Sequence, residues 1–341
     1  MFHQPDAEHP NGHVLLSGPI AQSIPAGIFT NNAVKNLTID NTAGVTLDGP
    51  LGVSGILKVA AGNLASAGNL TLLSTATGTA VVDGSTSGTI TGTVTMQRYL
   101  PSRFGYRYIS SPFSNATVAQ LSEEVELGAD FPTVYNYDED QVASGWVNYT
   151  STTGVLSPLK GYAVNFGDTA LSNTISISGT LNNGPVASAV LYNHNHTYTK
   201  GFHLAGNPYP SPVDWNSVAG WTKTNIDNAI YYFNNGTADR YGGTYSSYIN
   251  GVSSDGVANN LIPSMQGFFI HVSNGSYPVA GGLEINNNAR LTTLNPVYHK
   301  TTADETLLRL QAHPGTDTAR KDRVAIYFQQ ESSIRYDKDA D

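Results

Sequence analysis

The chain has 341 residues, 17 Lys and Arg against 26 Asp and Glu for a net charge of −9, and only 13% charged residues. That is about half the roughly 25% usual in globular proteins, and the gap is filled by Gly (34) and Pro (17) together with abundant Asn, Thr and Ser. Such a mixture supplies turns and strand surfaces rather than helix surfaces, so coiled coils and helical repeats are excluded. The acidic balance argues against a nucleic-acid partner, and no apolar run approaches the ~20 residues that span a membrane as a helix. With 19 Tyr, 11 Phe and 3 Trp there is ample apolar material for a packed core. Cysteine is absent. That fits either a cytosolic protein or a bacterial exported one large enough to fold without disulfides. The scarcity of charge favours export, and an exported chain would carry its leader outside this sequence, since Met1–Asp6 has neither a basic nor an apolar leader region.

In chain order, residues 1–33 read as a lead-in arm with three histidines (His3, His9, His13) and four prolines (Pro5, Pro10, Pro19, Pro25). Residues 34–95 alternate short apolar triplets with Gly and Asn: Asn36-Leu37-Thr38-Ile39, Val45-Thr46-Leu47, Ile56-Leu57-Lys58-Val59 and Asn69-Leu70-Thr71-Leu72. The Asn-Leu-Thr-aliphatic string recurs 33 positions apart (36 and 69), and Gly62-Asn63-Leu64 nearly duplicates Gly68-Asn69-Leu70. Strands this short with Gly and Asn corners predict a small β-solenoid or stacked-strand layer, in which each rung covers its neighbour's apolar face. A Greek-key sandwich is the competing arrangement.

Residues 96–282 predict an aromatic-rich β-sandwich or jelly roll, from runs such as Tyr106–Ile109, Thr133–Tyr137, Gly161–Phe166, Ala229–Phe233 and Gly267–Val272. One short helix is predicted after Thr117, where Thr117-x-x-Gln120 has the form of a capping box. Residues 283–341 hold two further strands, 306–310 and 323–328, which either complete the sandwich or begin another domain. The fold class expected is therefore all-β.

Four groups of residues are candidates for chemistry. Pro208, Pro210 and Pro212 fix alternate φ angles in Gly206–Trp215, making a stiff corner. Such a corner either presents Tyr209 and Trp215, with Trp146 and Trp221, to a glycan or buries the rings as structure. Asp138-Glu139-Asp140 could hold Ca²⁺, although the spacing of a calcium loop is absent, or could form a solvated hairpin tip. The pairs Glu123-Glu124 and Asp214 with Asp227 are further carboxylates for glycoside hydrolysis, which needs two carboxyls about 5 to 10 Å apart. His194-Asn195-His196 places two imidazoles on one face of an extended segment, with His203 seven residues on, a set that could bind Zn²⁺ or sit on a polar hairpin. No nucleophile elbow, Walker loop or zinc-protease helix is present, and with no cysteine a thiol nucleophile is excluded, so no catalytic residues are assigned.

Several strings resemble a module of large secreted and surface proteins of Bacteroidetes-type bacteria. They are Asn36–Ile39 leading to Gly44–Leu47, Gln97–Pro101 leading to Tyr106–Pro112, Gly145-Trp146-Val147, Leu159–Tyr162, Gly206–Trp215, Gly220-Trp221-Thr222 and Ile262–Phe269. Tyr336–Asp341 follows the same pattern, except that Ala340 stands where such proteins carry Tyr. The resemblance covers about residues 34–341, and Gly206–Pro212 is its most specific string. It implies export by type IX secretion and display among adhesin-like repeats, and it transfers no catalytic residue. Asp168-Thr169-Ala170 and Asp317-Thr318-Ala319 resemble the short O-glycosylation signal of such exported proteins, at Thr169 and Thr318.

The function expected is thus a non-enzymatic extracellular structural or adhesion protein of the bacterial surface. Its partners would be other copies of itself or other cell-surface proteins, joined as a filament by pairing of a lead-in strand such as His13–Ile20. The alternative is a carbohydrate-binding module of a polysaccharide-processing protein. No cofactor is expected beyond possible Ca²⁺ at Asp138–Asp140.

Overall fold

A computed structural model describes residues 12–101, 105–166, 173–235, 242–294, 307–312 and 322–327. It is all-β: strands are joined by turns, and the helical segments are single 3₁₀ turns. The chain divides into a large unit, Met1–Lys300, and a small one, Thr301–Asp341.

The first third is a β-solenoid. Its strands are β1 (His13–Gly18), β2 (Gln22–Ile24), β3 (Ala33–Val34), β4 (Asn36–Leu47), β5 (Leu51–Val53), β6 (Ile56–Ala65) and β7 (Leu70–Leu72). A fourth rung follows the small hairpin β8 (Ser74–Thr75) and β9 (Gly78–Thr79) and consists of β10 (Val81–Val82), β11 (Thr89–Thr91) and β12 (Val94–Tyr99). All rung-to-rung pairing is parallel. Leu37 lies opposite Leu57, Val45 opposite Leu64 and Leu51 opposite Leu70, an advance of 20, 19 and 19 residues respectively. The alternating aliphatics of every rung (Leu16, Ile24, Val34; Leu37, Ile39, Leu51; Leu57, Val59, Leu70; Val82, Val94, with Met96) point into one continuous core. Outward positions carry Thr, Asn, Ser and Lys, which is why short strands suffice: each rung is covered by the next.

Two sequence expectations, the arm and the helix, are corrected here, and the repeated string is placed. Residues 13–34 are the first rung, not part of a 1–33 arm: β1 and β2 pair with β4, and Pro19 and Pro25 lie in the corners that follow β1 and β2. The 33-residue period is not the rung repeat, because Asn36–Ile39 and Leu70–Leu72 lie in different sheets. The two strings look alike because each solves the same local problem, an Asn at a corner bonding the adjacent rung before an inward aliphatic. Asn36 Oδ1 accepts the Ile56 N–H at 2.8 Å, and Asn69 Nδ2 donates to the Leu47 carbonyl at 3.0 Å. The helix after Thr117 is only a 3₁₀ turn, Val118–Leu121, and the Thr117 side chain makes no capping bond. Gln120 instead works as a piece of sheet edge, its amide donating to Ser178 O (2.7 Å) while its oxygen accepts Ser178 N–H (3.2 Å).

Gly62 shows how tightly the rungs stack. Its φ is +75°, and a Cβ there would fall 1.9 Å from the Asn41 carbonyl of the neighbouring rung. At the far end of the stack β12 pairs in parallel with β7 but antiparallel with the strand Thr174–Gly179, so the sheet changes polarity there. The core also runs on through Leu100, Phe113, Val118, Leu121, Tyr162 and Ile177, so burial does not break at residue 95.

The rest of the large unit is mainly antiparallel. One sheet has the order Tyr106–Ser110, Gly161–Asn165, Val134–Tyr137, Trp146–Asn148; another has Phe202–Gly206, Gly267–His271, Ala229–Asn235, Gly243–Ile249, Val252–Ser253. A third gathers Val186–Ala187, Leu191–Asn193 and Trp221–Thr224 around Val279–Ile285. That last strand runs across residue 282. In the small unit Leu307–Ala312 and Asp322–Tyr327 form an antiparallel hairpin.

Candidate functional site

The proline-rich corner is structural. Asn207 is fully buried. Its Nδ2 donates to the carbonyls of Ser211, Ile262 and Pro263 at 2.9, 3.1 and 2.9 Å, and its Oδ1 accepts the Tyr209 N–H at 2.9 Å. Tyr209 (0% exposed), Trp215 (1%) and Trp221 (7%) all lie in the core. The Tyr209 hydroxyl donates to Gly184 O and Ile285 O, the Trp221 indole N–H to Asp214 O, and the two indoles meet edge to face at 5.0 Å. Rings so enclosed have no face to offer a sugar, which corrects their assignment as ligand residues. Trp146 differs: it is half-buried on a group of aromatics, with Tyr137 at 5.0 Å, Tyr108 at 5.6 Å and Phe269 at 5.9 Å.

The acidic loop and the histidine loop, 55 residues apart, come together. The loop after Tyr137 and the turn between Leu191–Asn193 and Phe202–Gly206 meet at a cleft of about 710 Å³. Glu139 faces inward and is 2% exposed. Its Oε1 accepts the backbone N–H of His194 and of Gly201, both at 3.1 Å, and its Oε2 lies 2.7 Å from His194 Nδ1. Thr199 Oγ1 donates to the Glu139 carbonyl at 2.8 Å, pinning the loop. Asp138 is spent on its own turn, where Oδ1 accepts the Asp140 N–H and Oδ2 the Gln141 amide. Asp138 thus turns away while Glu139 and Asp140 meet at His194 Nδ1, so the three do not build the oxygen cradle that Ca²⁺ would need. Asp140 remains exposed, with Oδ1 at 3.1 Å from His194 Nδ1.

The local backbone explains why His194 and His196 share a side. Asn193 is buried and accepts the Asn195 N–H on its Oδ1 (2.9 Å), an Asx turn that sets Asn195 at φ 57°. The two imidazoles lie 5.3 Å apart at 31°. His203 is not their companion: its Nε2 bonds the Tyr192 carbonyl at 2.8 Å, and burial lowers its pKa. Lys160 also lines the cleft, and burial lowers its pKa against the opposing pull of Asp138. Sequence reasoning missed Lys160 and the inward turn of Glu139. The only available signal was that each loop separately held several metal-type ligands.

Elsewhere, Asp227 accepts His271 Nδ1 on one oxygen and Ser273 Oγ on the other, each at 2.6 Å. Serine and histidine thus both bond the carboxylate rather than each other, which ties strands together without activating the hydroxyl. Asp214 Oδ1 accepts the Asn260 amide (2.6 Å) and the Asn216 N–H (2.8 Å), a structural role. Thr169 and Thr318 lie outside the described residues. Among the described residues no helix is long and apolar enough to cross a membrane.

No curated protein and no solved structure matches the chain. The model of one family, the domain of unknown function DUF8693, matches residues 9–324, so the chain belongs to that family.

Proposed function

We propose that this protein is a non-enzymatic structural or adhesion protein of the bacterial cell surface, assembled with further copies of itself by strand pairing. The observation that carries this reading is the first solenoid rung. β1 ends its sheet, with β4 on one side and no described strand on the other. Proteins blunt such edges with charge, proline or a covering element. Here His13–Gly18, Gln22–Ile24 and Ala33–Val34 contain no Lys, Arg, Asp, Glu or Pro, and Leu15 (57%) and Ile20 (77%) are exposed beside the edge. The occupant is a strand of a second copy, which adds to β1 by the hydrogen-bonding mode of β-augmentation. The low charge supports an exported setting.

The test is electron microscopy with light scattering over a concentration series, on the wild type and on Leu15→Lys, which puts a charge beside the edge. Wild-type assemblies that revert to monomers in Leu15→Lys, with unchanged circular dichroism, are expected. A wild type that stays monomeric throughout overturns the reading.

A second reading, glycan binding, has its own observation in Trp146. It is the predicted aromatic that stays partly open, beside half-buried Tyr135 and Tyr137, and Tyr137 also lines the cleft.

A further inference from the structure

We propose that Asp140, His194 and His196 form a binding site for a divalent transition metal, Zn²⁺ in the first instance, with Glu139 as the residue that orients it. One ligand atom from each of the three lies within 4.8 Å of those of the other two. Tetrahedral zinc with bonds of 2.0–2.2 Å holds its ligand atoms about 3.3–3.6 Å apart. Asp140 Oδ1 lies 3.1 Å from His194 Nδ1, on the side held by Glu139, so joining a metal at Nε2 takes a swing of the Asp140 side chain, which is 70% exposed.

The second, independent observation is Glu139. A metal-binding imidazole commonly donates its other ring N–H to a carboxylate, which fixes its tautomer and raises its basicity. Both Glu139 oxygens act as acceptors, Oε1 from two backbone N–H groups and Oε2 from His194 Nδ1. With the proton held on Nδ1, the His194 Nε2 lone pair is left to a metal. The Asx turn at Asn193 presets the spacing of the two rings, so little loop entropy is lost on binding.

The donor set also decides the class of ion. Ca²⁺ takes six to eight oxygens, and here two nitrogens and one exposed carboxylate are on offer. Two imidazoles and a carboxylate suit zinc, with a water in the fourth position. His203 is not in the set, because its ring nitrogens are not among the ligand atoms that lie within 4.8 Å of one another.

The experiment is calorimetric titration of the metal-free full chain with Zn²⁺ and, separately, Ca²⁺. Zinc binding at this site is expected to be lost in His194→Ala/His196→Ala and weakened at least about tenfold in Asp140→Asn. Glu139→Gln is the sharper variant. It keeps the shape and an acceptor for the two backbone N–H groups, but its amide donates to His194 Nδ1 and moves the proton onto Nε2. A loss of about 10–100-fold with unchanged circular dichroism is expected. The double variant separates this site from His3, His9 and His13. Zinc binding unchanged in that variant, no zinc binding by the wild type, or equal displacement by Ca²⁺ would each overturn the proposal.

Discussion

Replacing Asn207 by alanine tests whether the Gly206–Pro212 string is a structural corner. The side chain is fully buried, its two Nδ2 hydrogens shared among three carbonyls and its Oδ1 accepting one N–H. Truncation strands the Tyr209 N–H, at about 1–3 kcal/mol for an unsatisfied buried donor. It also strips donors from the Ser211 and Ile262 carbonyls, whereas the Pro263 carbonyl keeps the Gln266 N–H at 3.3 Å. With the void left behind, the expected loss is about 3–5 kcal/mol. At about 2 °C per kcal/mol for a unit this large, the melting temperature should fall by about 6–10 °C. Asn207→Asp is the companion. It preserves volume and the Tyr209 acceptor but sets a carboxylate against three carbonyls, which raises the carboxyl pKa in the folded state. The damage is therefore small below the unfolded value of about 4 and grows as pH rises through the folded value. Calorimetric melts of both variants at several pH values provide the measurement. A shift under about 2 °C for Asn207→Ala, or a pH-independent Asn207→Asp, would refute the reasoning.

Gly62→Ala should cost about 3 kcal/mol or more in urea unfolding, because its Cβ meets the Asn41 carbonyl. Gly68→Ala, at φ +82° with nothing within 4 Å, should cost only about 1 kcal/mol. Burial holds the Lys223 pKa down to about 8, with Asp214 opposing the shift. The unfolded lysine titrates near about 10.4, so the unfolded state binds more protons between the two values and stability rises with pH across that window. That rise should vanish in Lys223→Met, read as the difference between the two melting curves from about pH 7 to about pH 10. Finally, Trp146→Ala should remove any glycan-array binding while leaving the fold intact. Trp215→Ala should instead cost about 3–5 kcal/mol, so its loss of binding would report unfolding.

The fold class was legible because it rests on local chemistry. Gly and Asn corners, aliphatic alternation and missing charge point to stacked short strands wherever they occur, and the inward positions Leu37, Ile39, Leu57 and Leu70 follow from a period of two. The rung length was not legible. The repeated Asn-Leu-Thr string marks a type of corner, and corners of one type sit on different walls. Pro19 and Pro25 misled for the same reason, since a proline that ends a rung strand looks like one in an irregular arm.

At the candidate site, residue type was readable in each loop and partnership was not. Asp138–Asp140 and His194–His196 each looked like half of a metal site, and the sequence alone paired His194 and His196 with His203. The tertiary structure decided otherwise, because the hairpin loop after Tyr137 meets a turn that joins strands of two other sheets, and no spacing along the chain encodes that meeting. It also decided which carboxylate turned inward. Glu139 is held by two backbone N–H groups from the opposite loop, while Asp138 satisfies its own turn and Asp140 stays exposed beside His194. Composition and periodicity thus determined an all-β stack with polar outer faces, because those depend on neighbours in sequence. Burial of Tyr209, Trp215 and Trp221, and the joining of acid to imidazole, depend on neighbours in space.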